Sequence, residues 1–138
     1  MTDTVIVRFE GDGSGVAELS WGQHEIWCVM QAKNDSLPIG GVRTLPPGQT
    51  VADVAAGLRF IMSRHQSLRT RLRWAPEGQA AVGEAAVGKA AAGVPKQEVH
   101  ARGEIALEVV DAGDGDPAEA AAAVVTRYMT TNFDFERD

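Results

Sequence analysis

The chain has 138 residues, of which 44% are hydrophobic and 23% are charged, and its formal net charge is −6. This length fits one domain with a buried core, and the acidic balance argues against a nucleic-acid-binding surface. No apolar run approaches the roughly 20 residues of a membrane span, and the N-terminus lacks the basic and apolar regions of a secretory signal. The single cysteine, Cys28, cannot form an internal disulfide. We therefore expect a cytoplasmic protein that binds neither nucleic acid nor a membrane.

The first third of the chain predicts a strand, a turn and a helix. β-branched residues in "TVIVRF" predict a strand at Thr4–Phe9, and the glycine-rich "EGDGSG" after it predicts a hairpin turn. Ser20 and Gln23 have the spacing of a capping box, which starts a helix. We expect that helix to bury one side and to hold Cys28 as a small core residue. The buried side is predicted to contain Gln23, Ile26, Trp27 and Met30.

The middle of the chain predicts a short strand, the clearest helix and a second strand. The short strand is expected at Gly41–Leu45, between prolines, and the helix is expected to begin with Thr50 as N-cap and Asp53 at N3. Apolar residues then repeat at helical spacing and predict a buried face. That face comprises Val51, Val54, Leu58, Ile61, Met62, His65 and Leu68. Beyond His65 the period becomes twofold, which places Leu68, Thr70, Leu72 and Trp74 on one face and Arg69, Arg71 and Arg73 on the other.

The last third predicts a turn, a weakly specified segment, a strand and a helix. The turn is expected at Ala75–Gly78, and the alanine-rich Gln79–Gly93 is expected to form one or two weak strands or a mobile loop. Ile105–Asp111 reads as a buried strand. Asp116 as N-cap and Pro117 at N1 predict the final helix. Its apolar face contains Ala121, Val124, Val125, Tyr128 and Met129.

This alternation of helices and strands predicts an α/β chain, an α+β sandwich in which a mixed sheet is covered by helices. The sequence gives little support for a phosphate-binding loop or a metal-binding site. "EGDGSG" lacks the G-K-[ST] ending of a phosphate-binding loop, and "DAGDGDP" lacks the EF-hand pattern. His24, His65 and His100 are far apart in the sequence, so we predict no metal site and no catalytic residue from these patterns.

Two stretches together resemble the first two core motifs of condensation domains of nonribosomal peptide synthetases. "LSWGQHEIW" is similar to the motif S-x-A-Q-x-R-[LM]-[WY] at Ser20, Gln23 and Trp27. "RHQSLRTRL" is similar to the motif R-H-E-x-L-R-T-x-F at five positions. These are Arg64, His65, Leu68, Arg69 and Thr70. The segments "ALEVVD" and "NFDFERD" also resemble the family, so the likeness covers nearly the whole chain.

The resemblance implies a chloramphenicol-acetyltransferase-like fold of two lobes, in which residues 1–138 form the N-terminal part of the first lobe. Such a domain forms an amide between a thioester donor and an amine acceptor in the biosynthesis of peptide natural products, antibiotics among them. The implied partners are peptidyl or acyl carrier proteins, whose phosphopantetheine arms carry the two substrates. The H-H-x-x-x-D-G motif that supplies the family's histidine is not in this chain. The remainder of the domain, or a complementing chain, is therefore an implied partner too.

The same resemblance implies that the matched residues are structural and lie near the active site. Arg69 would form an ion pair with the aspartate of H-H-x-x-x-D-G. Arg71 and Arg73 are predicted to lie on a solvated strand face, and His65 is predicted to be a core histidine. Two other functions stay open. One is a standalone ester-forming acyltransferase of the same superfamily; the other is a non-catalytic half-lobe that docks a partner, or a second copy through its uncovered sheet edge.

Overall fold

The computed structural model describes residues 2–73 and 94–135, and it combines three helices with antiparallel strands in this part of the chain. The elements, in chain order, are β1 (Thr2–Glu10), β2 (Gly15–Ala17), α1 (Trp21–Lys33), α2 (Val51–Arg64), a 3₁₀ helix (Gln66–Arg69), β3 (Thr70–Arg73), β4 (Lys96–Val99), β5 (Arg102–Val110) and α3 (Pro117–Met129). The predicted α+β character is confirmed. The predicted strand at Gly41–Leu45 is wrong, because this segment has no regular structure. The predictions for Trp74, Ala75–Gly78 and Gln79–Gly93 lie outside the described residues.

The strands form two antiparallel sheets rather than the mixed sheet that we predicted. β1 pairs with β5 from Thr2↔Val110 to Glu10↔Arg102, and the second sheet has the order β2-β4-β3. Every ladder between described strands is antiparallel. The alternation of helices and strands did not reveal this pairing, because the partner of β1 follows it only about 90 residues later in the sequence.

The two sheets continue one another through a bend that lies between β1 and β2 on one side and between β4 and β5 on the other. At the bend the amide of Gly11 donates a hydrogen bond of 2.8 Å to the carbonyl of Ala101. The predicted hairpin turn in "EGDGSG" is therefore wrong, because β1 and β2 pair with β5 and β4 instead of with each other. Gly13 has a φ of +80°, a conformation that glycine adopts without a steric penalty.

All three predicted helix starts are confirmed. Ser20 with Gln23, and Thr50 with Asp53, each form a complete capping box, and the Asp116 carboxylate accepts a hydrogen bond from the amide of Ala118. These caps depend on neighbours in the sequence, so the pattern alone is sufficient to locate them.

The buried core of the described residues is small, and several predicted core residues are exposed. The buried hydrophobic side chains are Val7, Phe9, Trp27, Met30 and Met62. By contrast Ile26 is 55% exposed and Leu68 50% exposed, and Cys28 and His65 are exposed as well. β5 alternates between exposed and half-buried positions instead of being fully buried, and α3 buries no side chain completely. In the described residues, no helix is both long and apolar enough to cross a membrane.

Candidate functional site

The candidate site is centred on Arg69, whose side chain enters the bend between the two sheets. Arg69 is the last residue of the 3₁₀ helix and is only 3% exposed. The prediction that it lies on a strand face with Arg71 and Arg73 is wrong, because the strand begins one residue later, at Thr70. The 3₁₀ turn redirects this side chain inward.

The guanidinium of Arg69 binds backbone carbonyl groups from both sides of the bend. Nη2 donates to the carbonyl of Asp12 at 2.7 Å, and Nη1 donates to the carbonyls of Gly11 at 3.4 Å and Gly13 at 3.3 Å. Nη1 also donates to the carbonyl of His100, on the opposite side. One side chain therefore joins the two halves of the bend.

Glycine at position 11 is required for this close approach. A Cβ atom on Gly11 would lie 2.1 Å from the carbonyl oxygen of Ser63 and 2.9 Å from Cζ of Arg69. Real Cβ atoms do not approach other heavy atoms so closely, so any larger residue would displace the guanidinium or α2.

The positive charge of Arg69 has no carboxylate partner within 4 Å among the described residues. Its Nε is buried and makes no hydrogen bond there, and Nε2 of His100 is in the same condition. The amide of His100 donates to the carbonyl of Arg69 at 2.9 Å, so the two residues are directly connected. A buried charge without a counterion is costly, so a negative group placed nearby would be stabilising.

The first motif is connected to β4, the strand that leads to His100. Besides its capping interaction with Ser20, Gln23 donates from Nε2 to Oε1 of Gln97 at 3.0 Å. Gln97 in turn donates to the carbonyl of Glu18 at 2.8 Å. The start of α1 is thereby fixed to the central strand of the three-stranded sheet.

The segment after α3 packs against residues of both motif regions. The rings of Trp27 and Phe135 meet edge to face with centroids 6.2 Å apart. The amide of Leu72, in β3, donates to the carbonyl of Phe135 at 2.9 Å. Ser36 donates from its amide to Oδ1 of Asn132 at 3.1 Å. The "NFDF" segment therefore connects the end of α1 with the edge of β3.

The remaining residues of the second motif do not form a single cluster. Arg64, at the end of α2, is exposed and lines an open groove, and His65 is the exposed C-cap of that helix. His65 is therefore not the core histidine that we predicted. Leu68 is half exposed, and Oγ1 of Thr70 donates to the carbonyl of Gln66 at 2.7 Å. Of the matched residues of this motif, Arg69 is the one whose side chain enters the bend.

Arg71 and Arg73 are exposed on β3, which confirms the prediction of a solvated strand face. Arg73 pairs with Glu98 on β4 at 3.6 Å. Sequence reasoning missed His100, Gln97 and Gly11, which complete the surroundings of the two motifs. Only Gly11 carries a sequence signal, because glycines directly after a strand often mark a bend or a close backbone approach.

The described residues contain no cluster of three or more histidine, cysteine, aspartate or glutamate side chains suited to hold a metal ion. His24 and Cys28 face each other one helical turn apart, with 3.9 Å between Nδ1 and Sγ. No protein-family model, curated protein or solved structure matches this chain.

Proposed function

We propose that this chain is the N-terminal part of a condensation domain of a nonribosomal peptide synthetase. In that reaction the acceptor amine attacks the carbonyl carbon of the donor thioester, the carbon–sulfur bond breaks, and an amide and a free thiol result. The chain's own residues would support the active site, and the histidine would come from a segment that follows residue 138 or from a second chain. The thioester substrates would be carried by the phosphopantetheine arms of carrier proteins.

The observation that carries this proposal is the buried, uncompensated charge of Arg69. Its terminal nitrogens bind four carbonyl groups, yet no described carboxylate lies within 4 Å and Nε has no described partner. The family resemblance implies an aspartate as the partner of this arginine. A planar guanidinium suits a carboxylate better than a lysine ammonium would, because it presents paired donors in a fixed geometry.

The arrangement of the two motifs gives further support. Gln23 of the first motif is hydrogen-bonded to β4, and Arg69 of the second is hydrogen-bonded to the carbonyl of His100, which follows β4 directly. Phe135 contacts both Trp27 and Leu72. Three of the four segments that carry the resemblance therefore contact the three-stranded sheet, whereas "ALEVVD" lies in β5 of the other sheet.

The first test is the intact mass of the natural polypeptide, isolated from its source with an antibody raised against residues 2–73. We expect a mass several-fold above 14.7 kDa. The isolated protein is then incubated with a donor aminoacyl carrier protein and an acceptor aminoacyl carrier protein. Mass spectrometry of the acceptor should show a dipeptidyl thioester.

Two controls make the assay decisive. An acceptor carrier loaded with an N-acetylated amino acid has no free amine and should give no product. A hydroxy-acid acceptor tests the ester-forming alternative of the same superfamily. A natural polypeptide of 14.7 kDa that isolates without a complementing chain would contradict the proposal, and so would a complete protein that forms only the ester.

A second candidate, a non-catalytic module that docks a partner, is favoured by the exposed apolar side chains. Ile39 is fully exposed, Trp21 is 82% exposed, and Phe60 is 64% exposed. A contiguous patch of exposed apolar groups marks an interaction surface, so this candidate requires that such side chains share one face of the molecule. The mass measurement separates the two candidates, because only the docking module is expected as a polypeptide of this size.

A further inference from the structure

A cavity of about 120 Å³ lies beside Arg69, between β3 and the start of β5. Its volume is that of about four water molecules, so it can hold a small organic ligand. It is a smaller space than the open grooves beside α2, and both basic and apolar residues line it.

The lining of the cavity contains more basic than acidic residues. Arg69, Arg71 and Arg102 line it together with one carboxylate residue, Glu104. That carboxylate is already paired with Arg8 at 3.5 Å, whereas none of the three lining arginines has a carboxylate within 4 Å among the described residues. Since Arg69 is buried, its charge is weakly screened by water. The cavity therefore favours an anion.

The apolar part of the cavity favours a hydrocarbon group. Its lining includes Phe9, Met62, Leu68 and Ile105. Phe9 and Met62 belong to the buried core, while Leu68 is half exposed and would gain burial from a ligand beside it. A ligand with one charged end and one apolar end matches both parts, which is the usual composition of a small-molecule site.

We propose that this cavity binds a short-chain monocarboxylate of about two to four carbon atoms, a size set by its volume. The carboxylate lies toward Arg71 and Arg102, whose guanidinium groups can bind it with paired donors. The hydrocarbon end lies against Phe9 and Ile105. Arg71 and Arg102 carry this site, so it is expected whether or not Arg69 pairs with the aspartate of the proposed condensation domain.

The test is an NMR titration of the full 138-residue chain with sodium butyrate at constant ionic strength, with butyramide and sodium acetate as comparison ligands. We expect saturable shifts of the amides around β3 and the start of β5, at least threefold tighter binding of butyrate than of acetate, and no binding of the neutral butyramide. Arg102→Gln should weaken butyrate binding at least tenfold. Arg43→Gln is the matched control, because Arg43 is exposed and lies outside the cavity.

A titration with sodium chloride is the control for general anion binding. If Arg102→Gln and Arg43→Gln weaken butyrate binding equally, or if chloride binds as tightly as butyrate, the effect is a general counterion effect and the proposal is overturned. If Arg102→Gln does not fold, nuclear Overhauser effects on the unmodified chain decide the question. Contacts from the butyrate methyl group to Met62 or Ile105 are expected, and their absence at saturation overturns the site. No carrier protein takes part, so failure of the condensation assay does not affect this result.

Discussion

Arg69 stabilises the bend between the two sheets by satisfying carbonyl groups that have no partner in a strand ladder. The carbonyls of Gly11, Asp12 and Gly13 lie on one side, and that of His100 lies on the other. A fully buried acceptor that loses its donor costs about 1–3 kcal/mol, and these part-buried carbonyls lie toward the lower end of that range. The contribution of Arg69 is therefore structural, and it exceeds that of an exposed arginine.

We expect Arg69→Ala to lower the free energy of unfolding by about 2–3 kcal/mol, because a buried side chain is removed and four part-buried carbonyls lose a donor together. Arg69→Lys should recover part of this loss, since an ammonium keeps the charge but cannot reach all four carbonyls. Urea denaturation measures both values. Arg71→Ala, at an exposed position on the next strand, is the control and should change stability by no more than about 0.5 kcal/mol.

If the proposed condensation function is correct, Arg69→Ala in the longer protein should lower the melting temperature and the yield. A normal melting temperature and yield, with loss of the proposed activity alone, would contradict the structural role.

The close approach at Gly11 gives a second prediction. Gly11→Ala should destabilise the chain by more than about 1 kcal/mol, because the new Cβ would lie 2.1 Å from the Ser63 carbonyl. Gly57→Ala is the matched control. Gly57 lies inside α2, and a Cβ there would have no described atom within 4 Å outside its own helix backbone, so alanine should stabilise by about 0.5–1 kcal/mol. Thermal unfolding of the two variants measures whether stability falls for Gly11→Ala and rises for Gly57→Ala. A similar change in stability at both positions would contradict the packing argument.

At the scale of single elements, the capping box of α2 makes stability depend on pH. The pKa of Asp53 is held below its ordinary value of 3.8, first by the hydroxyl of Thr50 and then by the backbone amide of Thr50. Because the pKa of Asp53 is lower in the folded state than in the unfolded state, its ionised carboxylate stabilises the fold at pH values above the unfolded-state pKa. This stabilisation is lost as the pH falls through the folded-state pKa. Asp53 therefore stabilises the helix at neutral pH and not in strong acid.

Thr50→Ala should raise the pKa of Asp53 toward its ordinary value, since the hydroxyl donor is removed while the amide donor stays. The difference in stability between Thr50→Ala and the unmodified chain should therefore shrink as pH falls below 3.8. Carboxyl NMR titration of Asp53 and urea denaturation at several pH values measure the two effects. Thr44→Ala, at another exposed threonine, is the control and should leave both unchanged. A stability difference that is independent of pH would contradict this account.

The elements also show which features a sequence can specify. The caps at Ser20, Thr50 and Asp116 were predictable, because donor and acceptor are at most three residues apart. The pairing of β1 with β5 was not, since its partners are separated by most of the chain and any strand of similar pattern could have competed. The same limit explains the missed strand β4, whose "KQEV" has no apolar alternation.

Burial was predicted least well, because it depends on what packs against each helix face. The periodicity of α2 predicted Met62 inside correctly, yet the same pattern placed His65 and Leu68 inside, and both are exposed. In α1, Ile26 lies beside the buried Trp27 but faces outward. For the candidate site, the sequence identified Arg69 but gave no indication that its partners would be backbone carbonyls.

At the scale of the whole molecule, the exposed apolar surface predicts association. Ile39 is fully exposed and Val42 is 60% exposed, in a segment without regular structure. We expect the isolated chain to form dimers or larger species as its concentration rises, because burial of such groups is favourable. Light scattering coupled to size-exclusion chromatography measures this.

Ile39→Asp should shift this equilibrium toward the monomer without lowering the melting temperature, because the side chain makes no buried contact. Thr44→Asp adds the same charge at an exposed polar position of the same segment and is the control. A chain that remains monomeric at every concentration would contradict the prediction, and so would equal effects of the two substitutions.

The pairing of β1 with β5 also has a consequence for synthesis on the ribosome. Glu10 pairs with Arg102 and Thr2 pairs with Val110, so the first strand is made about 90 to 110 residues before its partner. At elongation rates of about 5–20 residues per second, β1 therefore waits roughly 5–20 s for β5. During that interval Val7 and Phe9, which are buried in the folded chain, lack the strand that later pairs with theirs. The nascent N-terminal strand therefore exposes apolar side chains that a chaperone would protect until β5 emerges.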